Sequence, residues 1–417
     1  MKIIPNHCHY FNNAICIEPD TTEAFSYKPC CNFKSHLLEG SHTKYFKVST
    51  NEINSATKYW DEQRLDKTFN YANLKETACL KCYRDDQVED LEKAPSQLAM
   101  RKTVSQKFTP TKPGELNFLD ISFSSFCNLA CRYCTPSVSS SWVKTLQDAY
   151  QQNIDLSEAI ASDQIQSEMD HKTELKQTIK QEKKILEDLK KLDLSHLQEV
   201  YIKGGEPMMA RVLEEFLDLL IAQGCESTVS LCFNTNGGVF PKLSLLQKIL
   251  RFKKVILRIS IDAAGDLGGY IRQNLEWKTL EENLKKWKDA TKEKNNLEVR
   301  IQITTNIYSV NKLIDIDKWA HKNNLDIIPG QIFGPPIWNF HKVLPVKYYD
   351  LLSERYNNKL HNPWLDNWQK LAIDKSRSEF DIKILEKFKR VNNKLDTVYQ
   401  DSFEKHNPEM YQWLYSY

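Results

Sequence analysis

The stretch Phe126-Cys127-Asn128-Leu129-Ala130-Cys131-Arg132-Tyr133-Cys134 places three cysteines at CxxxCxxC spacing, directly after an apolar run at residues 116–123. Three thiolates can hold three irons of a cubane cluster. A protein cluster is normally completed by a fourth cysteine, so this spacing leaves one iron open to another ligand. Taken alone, the triplet also admits a zinc site or three buried thiols, although zinc sites usually show four ligands in paired CxxC or Cys/His sets.

Further polar residues fall at the carboxyl ends of strand-like runs. Lys203-Gly204-Gly205-Glu206-Pro207 closes one run. Its paired glycines let backbone approach a ligand closely, and its glutamate supplies an anionic acceptor. Phe233-Asn234-Thr235-Asn236-Gly237 and Ser260-Ile261-Asp262 close two others, and Thr304, Thr305 and Asn306 a fourth. In parallel barrels that rim carries function. Arg272, in Tyr270-Ile271-Arg272-Gln273, offers a guanidinium fork suited to a carboxylate. A surface salt bridge is the plain alternative.

Alternating elements must position these residues. Strands are predicted at 116–123, 199–202, 228–233, 255–261, 297–304 and 325–333, each short and rich in Val, Ile, Leu or Phe. Helices are predicted at 140–151, 210–223, 243–252, 279–290 and 310–322. Such β-α units predict an α/β fold with right-handed crossovers. A closed barrel needs eight units, so six fit an open, partial (β/α)6 TIM-like barrel. The span from about 140 to 195 is too long for one crossover. Residues 164–192 read as a long charged helix, with Ile165, Met169, Leu175, Ile179, Leu186 and Leu189 on a sparse apolar face, and the default is a surface insertion. Residues 345–417 are polar, helical in pattern and aromatic-rich, and are expected to pack over one end of the barrel.

The chain has 417 residues, 41% of them hydrophobic, enough for a large core with appendages. A net charge of +2 gives no global field for nucleic acid or an anionic membrane. No apolar run reaches membrane-spanning length. Residues 1–95 hold Cys8, Cys16, Cys30, Cys31, Cys79 and Cys82 of the eleven cysteines, and read as loop-rich and metal-stapled. The N-terminus shows no signal-peptide apolar core, so many cysteines here point to a reducing compartment, and a cytoplasmic location is expected. Cys225 and Cys232 read as small buried hydrophobes.

The cysteine triplet, with Gly204-Gly205-Glu206-Pro207 about seventy residues later, resembles the signature of the radical S-adenosylmethionine (SAM) superfamily. That resemblance implies a [4Fe–4S] cluster on Cys127, Cys131 and Cys134, with SAM on the open iron. One electron from the cluster would cleave SAM to a 5′-deoxyadenosyl radical, which abstracts hydrogen from a substrate. It also implies SAM contacts from Tyr133 (adenine), Gly204, Gly205 and Glu206 (methionyl ammonium), Asn234, Asn236, Ser260 and Asp262 (ribose and carboxylate) and Arg272 (carboxylate). The N-terminal pattern resembles an auxiliary-cluster domain of the twitch type, related to SPASM domains, at residues 1–105. Its implied ligands are Cys8, Cys30, Cys79 and Cys82, with Cys31 as substitute for Cys30; a [4Fe–4S] cluster is expected, and [2Fe–2S] or zinc stay open. The barrel is then expected at 113–335 and a helical extension at 345–417. Relatives with such domains often modify peptides, so the resemblance implies a peptide substrate, an oxidative reaction (crosslink, desaturation or dehydrogenation) and a flavodoxin- or ferredoxin-type electron donor; no membrane partner is expected, and the net charge does not favour a nucleic-acid partner. The alternatives are the same chemistry on a small molecule such as a sugar or aminocyclitol, the same chemistry on tRNA, and a non-catalytic zinc-binding protein on a barrel scaffold. For tRNA, Lys387-Phe388-Lys389-Arg390 is the candidate patch, diluted by Glu379, Asp381 and Glu386.

Overall fold

A computed structural model describes residues 14–19, 24–28, 47–49, 115–160, 171–293, 295–332, 335–357, 359–376 and 379–417. The chain divides into two compact units. The first comprises Met1–Ser125, Lys176–Asn234 and Pro241–Ile256; the second comprises Phe126–Leu175, Thr235–Phe240 and Leu257–Tyr417. The strands, in chain order, are β1 (Ala14–Pro19), β2 (Ala24–Lys28), β3 (Lys47–Ser49), β4 (Phe118–Ser122), β5 (Ala130–Cys131), β6 (Glu199–Lys203), β7 (Ser230–Thr235), β8 (Lys254–Ser260), β9 (Arg272–Gln273), β10 (Leu297–Thr305) and β11 (Asp326–Gln331). Seven of them form a parallel α/β framework, β1, β4, β6 and β7 in the first unit and β8, β10 and β11 toward the second. The α/β class is the one the alternating pattern predicts.

In the first unit, β4 pairs in parallel with β6, and β6 with β7. Every residue of β4 is buried, as expected for a parallel strand covered on both faces. Helix Leu213–Ala222 packs by its period: Leu213, Phe216, Leu217 and Leu220 are buried, at i, i+3, i+4 and i+7. Glu214 and Glu215 in its first turn complement the helix dipole. Gly224, at φ +75°, follows the helix in the left-handed conformation that glycine adopts without cost.

The six expected strands are all present, and a seventh precedes them. β1 lies parallel to β4, with Ile15 opposite Leu119 and Ile17 opposite Ile121, and β2 and β3 continue antiparallel beyond it. Ala14, Ile15, Cys16 and Ile17 are buried, so Cys16 is a core residue. This apolar run of four residues sits among cysteines and turn formers, which hides its strand character in the sequence. Glu18 reaches Lys203 at 2.7 Å, and Lys203 also pairs with buried Asp120 at 3.1 Å. Cys225 and Cys232 are buried as expected, and burial pushes the Cys225 thiol up to about 11.

The inserted helix is His171–Leu189. It is not purely a surface element, because Thr178, Glu182, Ile185, Leu186, Asp188 and Leu189 are buried.

In the second unit, residues of β8 and β10 (Ile259, Ile301, Ile303) share one core with Phe388, Val391 and Leu395 of helix Ile382–Tyr399. A cation lies inside this core. Arg132 is fully buried, its guanidinium 3.7 Å above the Tyr270 ring and 2.8 Å from Asp396. Its Nε donates to the Tyr270 carbonyl at 2.9 Å. Asp396 also accepts from the Tyr270 hydroxyl, Asn392 Nδ2 and the Phe403 amide. A buried ion is tolerated only when paired and hydrogen-bonded in this way.

Two stability predictions follow from these packings. Ile17→Ala is expected to cost about 2–4 kcal/mol in urea unfolding, the usual effect of truncating a buried aliphatic side chain; an unchanged midpoint would show that β1 does not belong to the sheet. Asp396→Ala, which strands the Arg132 charge, is expected to cost about 3 kcal/mol. A loss under about 1 kcal/mol would contradict the pairing.

Candidate iron–sulfur and SAM site

The cysteine loop lies in the second unit and has little regular structure of its own. β5 pairs antiparallel with β9, setting Cys131 opposite Arg272, and the Arg132 amide donates to the Ile271 carbonyl at 2.9 Å. The loop carbonyls are capped one after another. Cys127 O accepts from Ser141 Oγ at 2.7 Å, Leu129 O from Ser139 Oγ, Ala130 O from the Tyr399 hydroxyl at 3.3 Å, and Cys131 O from Trp142 Nε1 at 2.8 Å. Ser139, Ser141 and Trp142 belong to a stretch that reads in the sequence only as the start of a helix. Loop backbone needs such partners when it is buried.

Two of the three sulfurs receive N–H donors, and the Cys131 and Cys134 thiols share a hydrogen bond. Cys127 Sγ accepts from the Leu129 amide at 3.5 Å and from Asn236 Nδ2 at 3.7 Å. Cys131 Sγ accepts from Arg272 at 3.8 Å. The bond from Cys134, helped by the Arg272 charge, holds the Cys131 thiol below its ordinary value. Among the described residues no three Cys, His, Asp or Glu side chains are placed to hold a single metal ion. A cluster with one iron at each thiol has a different requirement, sulfurs around a shared volume with N–H donors aimed at them, and Cys127 and Cys131 carry such donors.

Beside the loop lies a buried charge network. Arg272 grips Asp262 with Nε at 2.9 Å and a terminal nitrogen at 3.2 Å, a fork-to-carboxylate contact. Asp262 is fully buried and also accepts from the Tyr133 hydroxyl at 2.6 Å and the Thr304 amide at 3.2 Å. Arg272 therefore joins Asp262 to Cys131. Sequence reading expects both residues to contact a ligand; the structure pairs them with each other. Asn236 Nδ2 donates to Asn128 Oδ1 at 2.8 Å, and Asn236 Oδ1 accepts from the Gly238 amide at 2.8 Å. Asn306 closes a local turn, accepting from the Tyr308 amide at 3.0 Å. Ser260 ends β8, partly buried.

The glycine–glutamate loop and Asn234 lie in the first unit. Gly204 has φ +119°, and a Cβ there would stand 2.2 Å from Ser122 Oγ. No side chain fits, which explains why glycine is required at this close approach. The Gly205 amide donates to Ser124 O at 3.0 Å. Glu206 is buried and caps the short turn Pro207–Met209, accepting from the Met208 amide at 3.1 Å. Asn234 Oδ1 is buried with no hydrogen-bond partner among the described residues. The auxiliary candidates Cys8, Cys30, Cys31, Cys79 and Cys82 lie outside the described residues.

Arg132, Asp396 and the Ser139–Trp142 caps escape sequence reasoning. Arginine at a spacer position of a cysteine motif reads as exposed, and its carboxylate partner stands far along the chain.

Residues 121–321 match the family profile described as "Radical SAM superfamily". No curated protein matches the chain. Among solved structures, the chain is similar to anSMEcpe with bound AdoMet, at 13% identity and a TM-score of 0.36, with 64% of each chain covered. It is similar to SuiB of Streptococcus suis bound to S-adenosylmethionine, at 14% identity and a TM-score of 0.32, covering 75% of this chain and 59% of SuiB. SuiB bound to its precursor peptide SuiA gives 13% identity and a TM-score of 0.34, covering 84% of this chain and 69% of SuiB. The chain thus spans about 64% of anSMEcpe and 59% of SAM-bound SuiB. The profile match spans 201 of the 417 residues, just under half of the chain, and over that stretch the chain is similar to the radical SAM superfamily.

Proposed function

We propose that the protein is a radical SAM enzyme that oxidatively modifies a peptide or protein side chain. The observation that supports this best is the cysteine loop: Cys131 and Cys134 share a hydrogen bond, and the Leu129 amide, Asn236 and Arg272 donate to the sulfurs of Cys127 and Cys131. When bound there, a [4Fe–4S] cluster with SAM supplies the electron that splits SAM into methionine and a 5′-deoxyadenosyl radical, which takes a hydrogen atom from the substrate.

The chain's own residues set the conditions for that chemistry. N–H donors to sulfur, together with the buried Arg272 charge, favour the reduced, more negative state of a cluster and so tune its potential. Capping of the loop carbonyls by Ser139, Ser141, Trp142 and Tyr399 fixes the sulfurs in place. Asp262 orients both Arg272 and Tyr133. Burial of Asp262 and Arg272 shields their ion pair from bulk water. By resemblance, Tyr133, Asn234, Asn236, Ser260, Asp262 and Arg272 serve SAM, as do Gly204, Gly205 and Glu206. Cys8, Cys30, Cys79 and Cys82 stay in the proposal as ligands of an auxiliary cluster in a domain at residues 1–105, with the barrel at 113–335 and a C-terminal extension at 345–417. A flavodoxin- or ferredoxin-type protein is the electron donor, in a cytoplasmic setting.

The test is anaerobic incubation of reconstituted protein with dithionite and SAM, read by mass spectrometry. Wild type is expected to form 5′-deoxyadenosine, and the Cys127→Ala, Cys131→Ala and Cys134→Ala variants to fall at least a hundredfold. Deuterated peptides encoded beside the gene are expected to pass deuterium into 5′-deoxyadenosine. Transfer from a sugar or an RNA instead would overturn the peptide assignment, and absence of 5′-deoxyadenosine would overturn the reaction class.

A further inference from the structure

The inserted helix His171–Leu189 buries a carboxylate, Glu182, against the glycine–glutamate loop. Glu182 is 1% exposed, as is Asp188 on the same helix. One carboxylate oxygen accepts from Ser124 Oγ at 2.6 Å, and the other accepts from the Arg211 amide at 2.9 Å. These two partners flank the glycine–glutamate loop. Ser124 O holds the Gly205 amide at 3.0 Å, at the start of the loop. Arg211 follows its end, after the Pro207–Met209 turn that Glu206 caps. The segment from Gly205 to Arg211 is thereby closed at both ends on a single buried carboxylate.

The geometry is restrictive. Gly204 is already pressed against Ser122 and Ser124, so a shift of Ser124 moves the backbone of Gly204 and Gly205 with it. At the other end, Glu182 sits at the amino end of helix Leu213–Ala222, where an anion is favoured by the helix dipole. Charge-assisted bonds to both ends are stronger than the neutral contacts within the loop. A carboxylate is the side chain that accepts at both oxygens at once.

We infer that Glu182 is a positioning residue for SAM, supplied by the insertion, which fixes the glycine–glutamate loop in the conformation that receives the SAM amino group. This rests on the proposed radical SAM function, in which Glu206 and its neighbours serve that group. Glu182 does not itself touch SAM; it acts through Ser124 and Arg211. The insertion is then part of cofactor recognition.

The test compares wild type with Glu182→Ala, Glu182→Gln, Ser124→Ala and Glu187→Ala, all anaerobically reconstituted. Iron content, the electron paramagnetic resonance spectrum of the reduced cluster without SAM, and the Kd for SAM are measured on each. Glu182→Ala is expected to weaken SAM binding at least tenfold while iron content and the SAM-free spectrum stay at wild-type values. Glu182→Gln, which keeps an acceptor for Arg211, is expected to restore binding to within about threefold. Exposed Glu187→Ala is expected to change nothing. If Glu182→Ala does not fold, Ser124→Ala decides, with an expected weakening of about threefold. Wild-type SAM affinity in a folded Glu182→Ala, or in Ser124→Ala where that variant decides, would overturn the inference. Wild-type protein that holds iron yet binds no SAM would overturn the functional reading beneath it.

Discussion

The nine-residue loop that carries three cysteines has only the two-residue strand β5 as regular structure. Its peptide groups still need partners, because a buried unpaired carbonyl costs as much as a lost hydrogen bond. The carbonyls of Cys127, Leu129, Ala130 and Cys131 are met by Ser141, Ser139, Tyr399 and Trp142. The sulfurs are thereby left to one another and to their N–H donors. Much of the second unit can be understood as support for this arrangement. Arg132 points away from the thiols into a tyrosine-lined core, where Asp396 of the C-terminal helix Ile382–Tyr399 neutralises it. The loop is thus tied to the helix furthest from it in sequence among its partners.

Charge pairing plays a similar part beside the loop. A lone buried Arg272 or Asp262 would be prohibitively costly, and together they form a forked pair that also orders Tyr133 and Thr304. Arg272 keeps a further N–H for Cys131 Sγ. One pair therefore links three strand ends to the cysteine loop, which gives a physical reason for these residue types beyond any direct contact with a ligand.

The parts legible in the sequence are those governed by local rules. CxxxCxxC spacing, the paired glycines after β6, and the apolar period of Leu213, Phe216, Leu217 and Leu220 each follow from short-range geometry. All six expected strands are found within a few residues. What the sequence hid depends on pairing across the fold. β1 is four apolar residues in a cysteine-rich stretch, and becomes a strand because Ile15 and Ile17 meet Leu119 and Ile121. Glu182 is one acid in a charged helix, distinguished only by the Ser124 hydroxyl and Arg211 amide that fold against it. Gly204 was recognisable as a close approach, while the neighbour it approaches, Ser122, was not.

The central claim is that Cys127, Cys131 and Cys134 hold a [4Fe–4S] cluster. Its most direct test is the iron and acid-labile sulfide content of anaerobically reconstituted protein, for wild type and for the Cys127/Cys131/Cys134→Ala triple variant. The account predicts that the variant loses about four irons and about four sulfides per chain relative to wild type. Equal iron in the two proteins, or no iron in wild type, would contradict it.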